Sequence, residues 1–264
     1  MPSGALSAAH LLKIVGNLSI FTFCAVVLIL WKRAHIDPRK PLGLVVDRKM
    51  AIEFCVGTLI GALAMLGTAS IESALGLFQV KTFSLSGHHI LKSASSYLIT
   101  GFFEELIFRG LFLSGLVMLV RQRWLAVGLM AAIFGGLHGA NPHATTLSVF
   151  SIALGGMVYA EAYLGSKRLW LGTGIHFAWN FVQGPVLGFA VSGGVMPWGG
   201  LFTGSVNGPN WVTGGSFGPE GGLICIGFRV VAAALILVWF HLSNYLNPRR
   251  FPRHRLIQAD RPEG

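Results

Sequence analysis

The sequence predicts an all-α fold, a polytopic membrane helix bundle of about seven transmembrane helices. Composition, the spacing of the apolar runs and the placement of the basic residues predict it together. Of the 264 residues, 53% are apolar and only 11% charged, and the mean hydropathy is +0.65. A soluble domain carries about a quarter charged residues, so ten Asp and Glu cannot keep a globule of this size wetted. A soluble enzyme and a disordered chain are both excluded on that ground.

A spanning helix needs about 20 mainly apolar residues, and the stretches that qualify or nearly do are 14–31, 51–70, 90–119, 124–140, 145–163, 169–189 and 223–243. The first is followed by Lys32 and Arg33 and lacks a small-residue cleavage pattern, so it reads as a retained span rather than a signal peptide. The third and sixth are interrupted by ionisable residues. The fourth is short and glycine-rich, as a tilted or partly re-entrant segment would be.

The formal charge is +10, and the basic residues fall in short clusters between the apolar runs. That placement reads as membrane orientation, with no nucleic-acid partner. Lys32, Arg33, Arg39, Lys40, Arg48 and Lys49 lie between the first two spans; Arg121 and Arg123 follow the third. Lys167 and Arg168 follow the fifth, and Arg249, Arg250, Arg253 and Arg255 the last. With all of them cytoplasmic, seven spans thread with the N-terminus outside and the C-terminus inside. Only Lys13, Lys81 and Lys92 are left on the opposite side.

Cys24, Cys55 and Cys225 each sit in an apolar run with no C-x-x-C pair, and read as small buried hydrophobes. Between 190 and 222 the chain is rich in glycine, with Pro197, Pro209, Pro219, Trp198 and Trp211. No regular helix is expected there; the segment is an interfacial linker or a lid over a substrate. The chain thus divides into N-terminal membrane helices with a basic cytoplasmic loop (1–89), a polar-interrupted core (90–189), and a region with the glycine-rich loop, the last helix and a basic tail (190–264). No internal repeat of the kind that marks many transporters is seen.

Ionisable groups inside a span are costly and are functional candidates by default. Glu104 and Glu105 stand side by side in an apolar run with Arg109 four residues beyond Glu105. On a helix Glu105 and Arg109 share a face and can pair, while Glu104 points about 100° away toward any cavity. That division suits a general base beside a structural ion pair, although a purely structural clamp would use the same residues. His138 closes a run with Phe134, Gly135, Gly136 and Gly139, where small residues allow close helix approach. His176 and Asn180, again four apart, present two polar groups on one face, suited either to an interhelical hydrogen bond or to an oxyanion. Six such groups on three helices are less costly as one cluster around water than buried separately.

The order E-E-x-x-x-R (Glu104, Glu105, Arg109), F-x-x-x-H (Phe134, His138) and H-x-x-x-N (His176, Asn180) resembles the CPBP family of intramembrane proteases, the CAAX-processing and bacteriocin-processing (Abi) proteins. The resemblance covers about 94–185. It implies that 90–189 is a protease core, an integral, multi-pass protein of the cell membrane if the source is bacterial. It also implies a peptide or lipid-anchored protein substrate held at the bilayer. By that resemblance Glu104 and His138 activate the attacking water and His176 and Asn180 stabilise the oxyanion. Glu105, Arg109 and Phe134 hold the site. Glu104, His138 and His176 would also be a donor set for Zn²⁺ with water in an open position, but the spacing is not H-E-x-x-H and Asn180 is a poor ligand. The metal-free form, without a cofactor, is favoured. The competing classes are a proton-coupled transporter or channel with a Glu–His relay, and a non-catalytic interaction or immunity protein on the same scaffold.

Overall fold

The computed structural model describes residues 25–26, 28–29, 31–33, 39–84, 87–195 and 200–246. Most of the expected first span, and the basic tail at 249–255, lie outside the described residues, as does Cys24. Helix α1 is Arg48–Ala74, and α2 is Gly87–Glu105. The second continues through a π-helical stretch, Leu106–Leu113, into α3, Ser114–Val120. Then come α4, Arg123–His138, α5, Thr146–Ser166, and α6, Trp170–Phe181, which runs into a second π-helical stretch, Val182–Val186. Helix α7 is Leu223–Leu246.

Three of these helices are long and apolar enough to cross a membrane: α1, α5, and α7 over Leu223–Ser243. Helix α4 is a shorter apolar helix, in keeping with the short fourth stretch. The mostly helical architecture is as expected. The all-α description needs one correction: β1, Phe78–Phe83, pairs antiparallel with β2, Phe202–Val206, from Phe78 opposite Val206 to Phe83 opposite Phe202, with a shift of register between Val80 and Thr82. This small sheet ties the chain before α2 to the glycine-rich segment after α6, which therefore is not wholly irregular.

The bundle is apolar on both sides of its helices. Met65, Ile175, Trp179, Phe217 and Ile236 pack in one core, and Leu113, Ala126, Tyr163 and Leu169 in a second. Leu59 and Leu63 on α1, Leu129 and Ile133 on α4, and Val230 and Leu237 on α7 are exposed. An apolar outer face of this kind belongs in lipid rather than water. Cys225 is buried, but Cys55 lies on the exposed side of α1; an apolar run has an outer face as well as an inner one, so its cysteines need not be buried.

Helices α1 and α6 cross at backbone contact. A Cβ at Gly57 would lie 2.2 Å from the Leu171 carbonyl oxygen, one at Gly61 2.4 Å from that of Ile175, and one at Gly174 2.3 Å from that of Phe54. Small residues four apart are what such an approach requires. On α4, Gly135 does the same against Val149 and Ala153, whereas Gly136 meets nothing and Gly139 caps the helix.

The corner between α5 and α6 is clamped to the start of α1. Arg168, read from the sequence as an orienting cytoplasmic charge, is instead buried. Its Nε donates to Glu53 Oε2 at 2.6 Å, and its Nη2 and Nη1 to Asp47 Oδ1 and Oδ2 at 2.6 and 3.2 Å. Asp47 also N-caps α1, accepting from the backbone of Lys49 and Met50. The hydrogen bond from Arg168 is the largest influence holding the Asp47 carboxyl below its ordinary value. A carboxylate with a folded-state pKa below the unfolded one stabilises the fold above the unfolded value of about 3.9, and this contribution disappears as pH falls through the folded value. Asp47→Asn keeps the cap and removes the charge. It should cost up to about 1 kcal/mol at pH 7, because the carboxylate is half-exposed, and the difference from the parent should shrink below pH ~4. Thermal unfolding of both proteins in detergent at the two pH values checks this.

Candidate active site

Glu104 and Glu105 end α2, at the point where the helix widens into its π-helical stretch. Such widenings recur at functional sites because they re-aim side chains within a continuous helix. Glu105 is 1% exposed, and its Oε1 accepts from Arg109 Nη1 at 3.0 Å and from His176 Nδ1 at 2.9 Å. Gly172 on α6 leaves room for this carboxylate, since a Cβ there would lie 3.2 Å from Oε2.

Arg109 is bound on several sides. Its Nη2 donates to the Gly156 carbonyl at 3.2 Å, and its Cζ lies 4.5 Å from the Phe134 ring centroid and 5.0 Å from that of Tyr159. Phe134 thus packs between Arg109 and His138, with 4.7 Å between the two ring centroids. Tyr159 stacks on His176 at 4.8 Å, nearly parallel. Neither the tyrosine nor its role as a floor under the histidine was visible in the sequence.

Glu104 has the opposite environment. Its side chain is 31% exposed, its Oε2 has no hydrogen-bond partner among the described residues, and that atom lies 3.8 Å from His176 Nε2. Glu104, His138, His176 and Asn180 all line one cavity of about 210 Å³. His138 Nδ1 lies 2.8 Å from the Phe134 carbonyl. A carbonyl only accepts, so Nδ1 carries the proton and the neutral ring keeps a lone pair on Nε2.

Counted along each helix from the basic residues at its start, His176 lies about 10 Å and His138 about 20 Å in, at a rise of about 1.5 Å per residue, an apparent mismatch of depth. The structure removes it. Helix α6 begins deep, with Leu171 level with Gly57 and Ile175 level with Gly61 on α1. Gly61 is thirteen residues into α1, so His176 lies about 20 Å from the α1 start at the same rise. The Arg168 clamp beneath residues 43–47 sets this depth.

Two further charged residues that the sequence reading did not single out reach the cavity. Arg229 comes from α7, and Glu220 from a 3-10 turn at Pro219–Gly221. Ser192 also lines it, so described residues near both ends of the glycine-rich segment reach the site. Arg229 could have been found by the same rule as the others, as an ionisable residue inside an apolar run. Glu220 sits among glycines in a loop without periodicity and gave no signal. Among the described residues no three His, Cys, Asp or Glu side chains are grouped to hold a metal ion. Glu104, His138 and His176 therefore do not form a three-ligand set in this geometry.

The site is a polar cavity between apolar helices, with one paired carboxylate and one unpaired carboxylate oxygen. Residues 86–182 match the family model described as Type II CAAX prenyl endopeptidase Rce1-like, which bears out the resemblance drawn from the motifs over the same stretch. That family is proteolytic and membrane-embedded. No curated protein and no solved structure matches the chain.

Proposed function

We propose that the protein is an intramembrane endopeptidase that hydrolyses a peptide bond of a membrane-associated or prenylated protein by a metal-free, glutamate-based mechanism. The observation that carries this reading is the asymmetry of the carboxylate pair. Glu105 is spent on Arg109 and His176, while Glu104 offers a free oxygen to a cavity that also holds His138 and Asn180.

Glu104 and the His138 Nε2 lone pair together accept from a water in the cavity. As the water oxygen attacks the scissile carbonyl, Glu104 takes its proton and later passes it to the leaving amine. The carbonyl oxygen becomes an oxyanion facing His176 Nε2 and the Asn180 amide. Donation from Nε2 requires the doubly protonated ring, because Nδ1 already carries the proton given to Glu105. Glu105 supplies the counter-charge for that imidazolium, and Tyr159 and Phe134 fix the plane of the ring. Preorganised donors of this kind are the largest single source of rate in acyl transfer.

The proposed setting is a multi-pass protein with about seven spans and cytoplasmic basic loops. The test is hydrolysis of a farnesylated peptide with a C-terminal Cys-a-a-X box by the purified full chain in lipid nanodiscs. Metal-stripped protein should keep most of its activity, and Glu104→Ala should have none above background. Inhibition by chelator that added Zn²⁺ reverses would overturn the metal-free mechanism. Absence of cleavage by the unaltered chain would overturn the protease reading.

A further inference from the structure

One charged side chain in the cavity has no part in the chemistry above. Arg229 stands in the second turn of α7 and is 3% exposed. Gly155 on α5 makes room for it, since a Cβ there would come 2.1 Å from its Nη1. The guanidinium is held from two sides: Nε donates to Ser151 Oγ at 3.1 Å, and Cζ lies 4.6 Å from the Trp179 ring centroid. Stacking on an aromatic face is how a guanidinium plane is fixed in advance of a planar partner.

Its nearest acid does not satisfy it. Glu220 Oε1 accepts from the Ser192 backbone N–H and, at 2.9 Å, from the Ser192 hydroxyl. Glu220 Oε2 lies 3.8 Å from Arg229 Nη2, beyond hydrogen-bonding reach. Nη2 is buried and has no hydrogen-bond partner among the described residues. A buried guanidinium donor left unspent is costly and is expected where a ligand completes it. Arg109, the other guanidinium near the site, already serves Glu105 and Gly156. Arg229 is the one Lys or Arg among the described residues that lines the cavity holding Glu104, His176 and Asn180.

We infer that Arg229 is the residue that binds the C-terminal carboxylate of the substrate, the chain end that the Cys-a-a-X test peptide presents. This rests on the protease reading above. The planar fork of arginine matches a carboxylate better than a lone amide carbonyl, and the charge-assisted bond is the stronger one. An extended chain advances about 3.3–3.6 Å per residue, and one cavity of about 210 Å³ contains both Arg229 and the hydrolytic groups. Only a short C-terminal segment fits between them. The Ser192–Glu220 contact holds the covering loop beside this end of the cavity.

The experiment compares two peptides identical except for a free C-terminal carboxylate or a C-terminal amide. The unaltered protein should cleave the acid with a kcat/KM about 10–10²-fold above the amide, mostly through KM. Arg229→Gln should bring the acid-to-amide ratio to about one, and Arg229→Lys should keep part of the preference. Because both rates come from one preparation, their ratio does not depend on the folded fraction. A measurement without any variant is also decisive: a short peptide acid with the sequence beyond the scissile bond should inhibit the unaltered protein, and its amide should not. Equal cleavage of both peptides, or an equal fall of both rates in Arg229→Gln, overturns the inference and leaves the protease reading standing. Cleavage of neither peptide overturns both.

Discussion

Glu104→Gln is expected to lower the hydrolysis rate by about 10²-fold or more, with little change in KM or in thermal stability. The substitution keeps the size of the side chain and leaves an amide oxygen near the cavity, so the shape of the site is retained. What it removes is the proton acceptor. Glu104 Oε2 has no hydrogen-bond partner to lose among the described residues and its side chain is 31% exposed, so the fold has little stake in the charge. His176 Nε2, at 3.8 Å, is too far for a hydrogen bond in the free protein. A water and the scissile carbonyl would fill that gap. Steady-state kinetics beside a melting curve of the same preparation measure the split. If the Gln variant hydrolysed the peptide at the parental rate, water activation would have to come from another group and Glu104 would be a lining residue only.

The polar cluster at the cavity was legible because polar groups stand out in an apolar run. Glu104, Glu105, Arg109, His138, His176 and Asn180 each break a stretch that lipid would otherwise favour, and their spacings of four put partners on common faces. The same logic also reaches Arg229 at the seventh position of α7 and Glu53 inside α1; both are buried, Glu53 against Arg168 and Arg229 at the cavity. What the sequence could not give was anything that depends on contacts across long chain separations. The β1–β2 pair joins residues more than a hundred positions apart, and neither strand has a distinctive alternation beside its partner. The depth of α6 depends on Arg168 finding Glu53 and Asp47, so a residue that reads as an exposed orienting charge is a buried anchor. Helix-end counting placed His176 too shallow for that reason. Tyr159 was invisible for another: an aromatic residue in an apolar helix looks like core until the ring that it stacks on is known.

The second large effect is expected at Glu105, and it separates the fold from the chemistry. Glu105→Leu should destabilise the protein by about 3–5 kcal/mol, because it leaves Arg109 buried without its carboxylate. Arg109 would keep only the Gly156 carbonyl and the Phe134 and Tyr159 rings. A buried ion pair replaced as a whole by apolar residues of similar volume is often neutral in stability. The double variant Glu105→Leu with Arg109→Leu should therefore recover most of the lost stability. It should not recover activity. His176 Nδ1 would still lack the acceptor that it now has at 2.9 Å, and an imidazolium without a counter-charge in an apolar site gives up its proton, leaving Nε2 unable to donate to the oxyanion. Denaturation in detergent and hydrolysis rates on the parent, both single variants and the double variant form one cycle. A double variant that regained both stability and hydrolysis would show that the Glu105–Arg109 pair is only a clamp between helices, and that the charge state of His176 is set elsewhere.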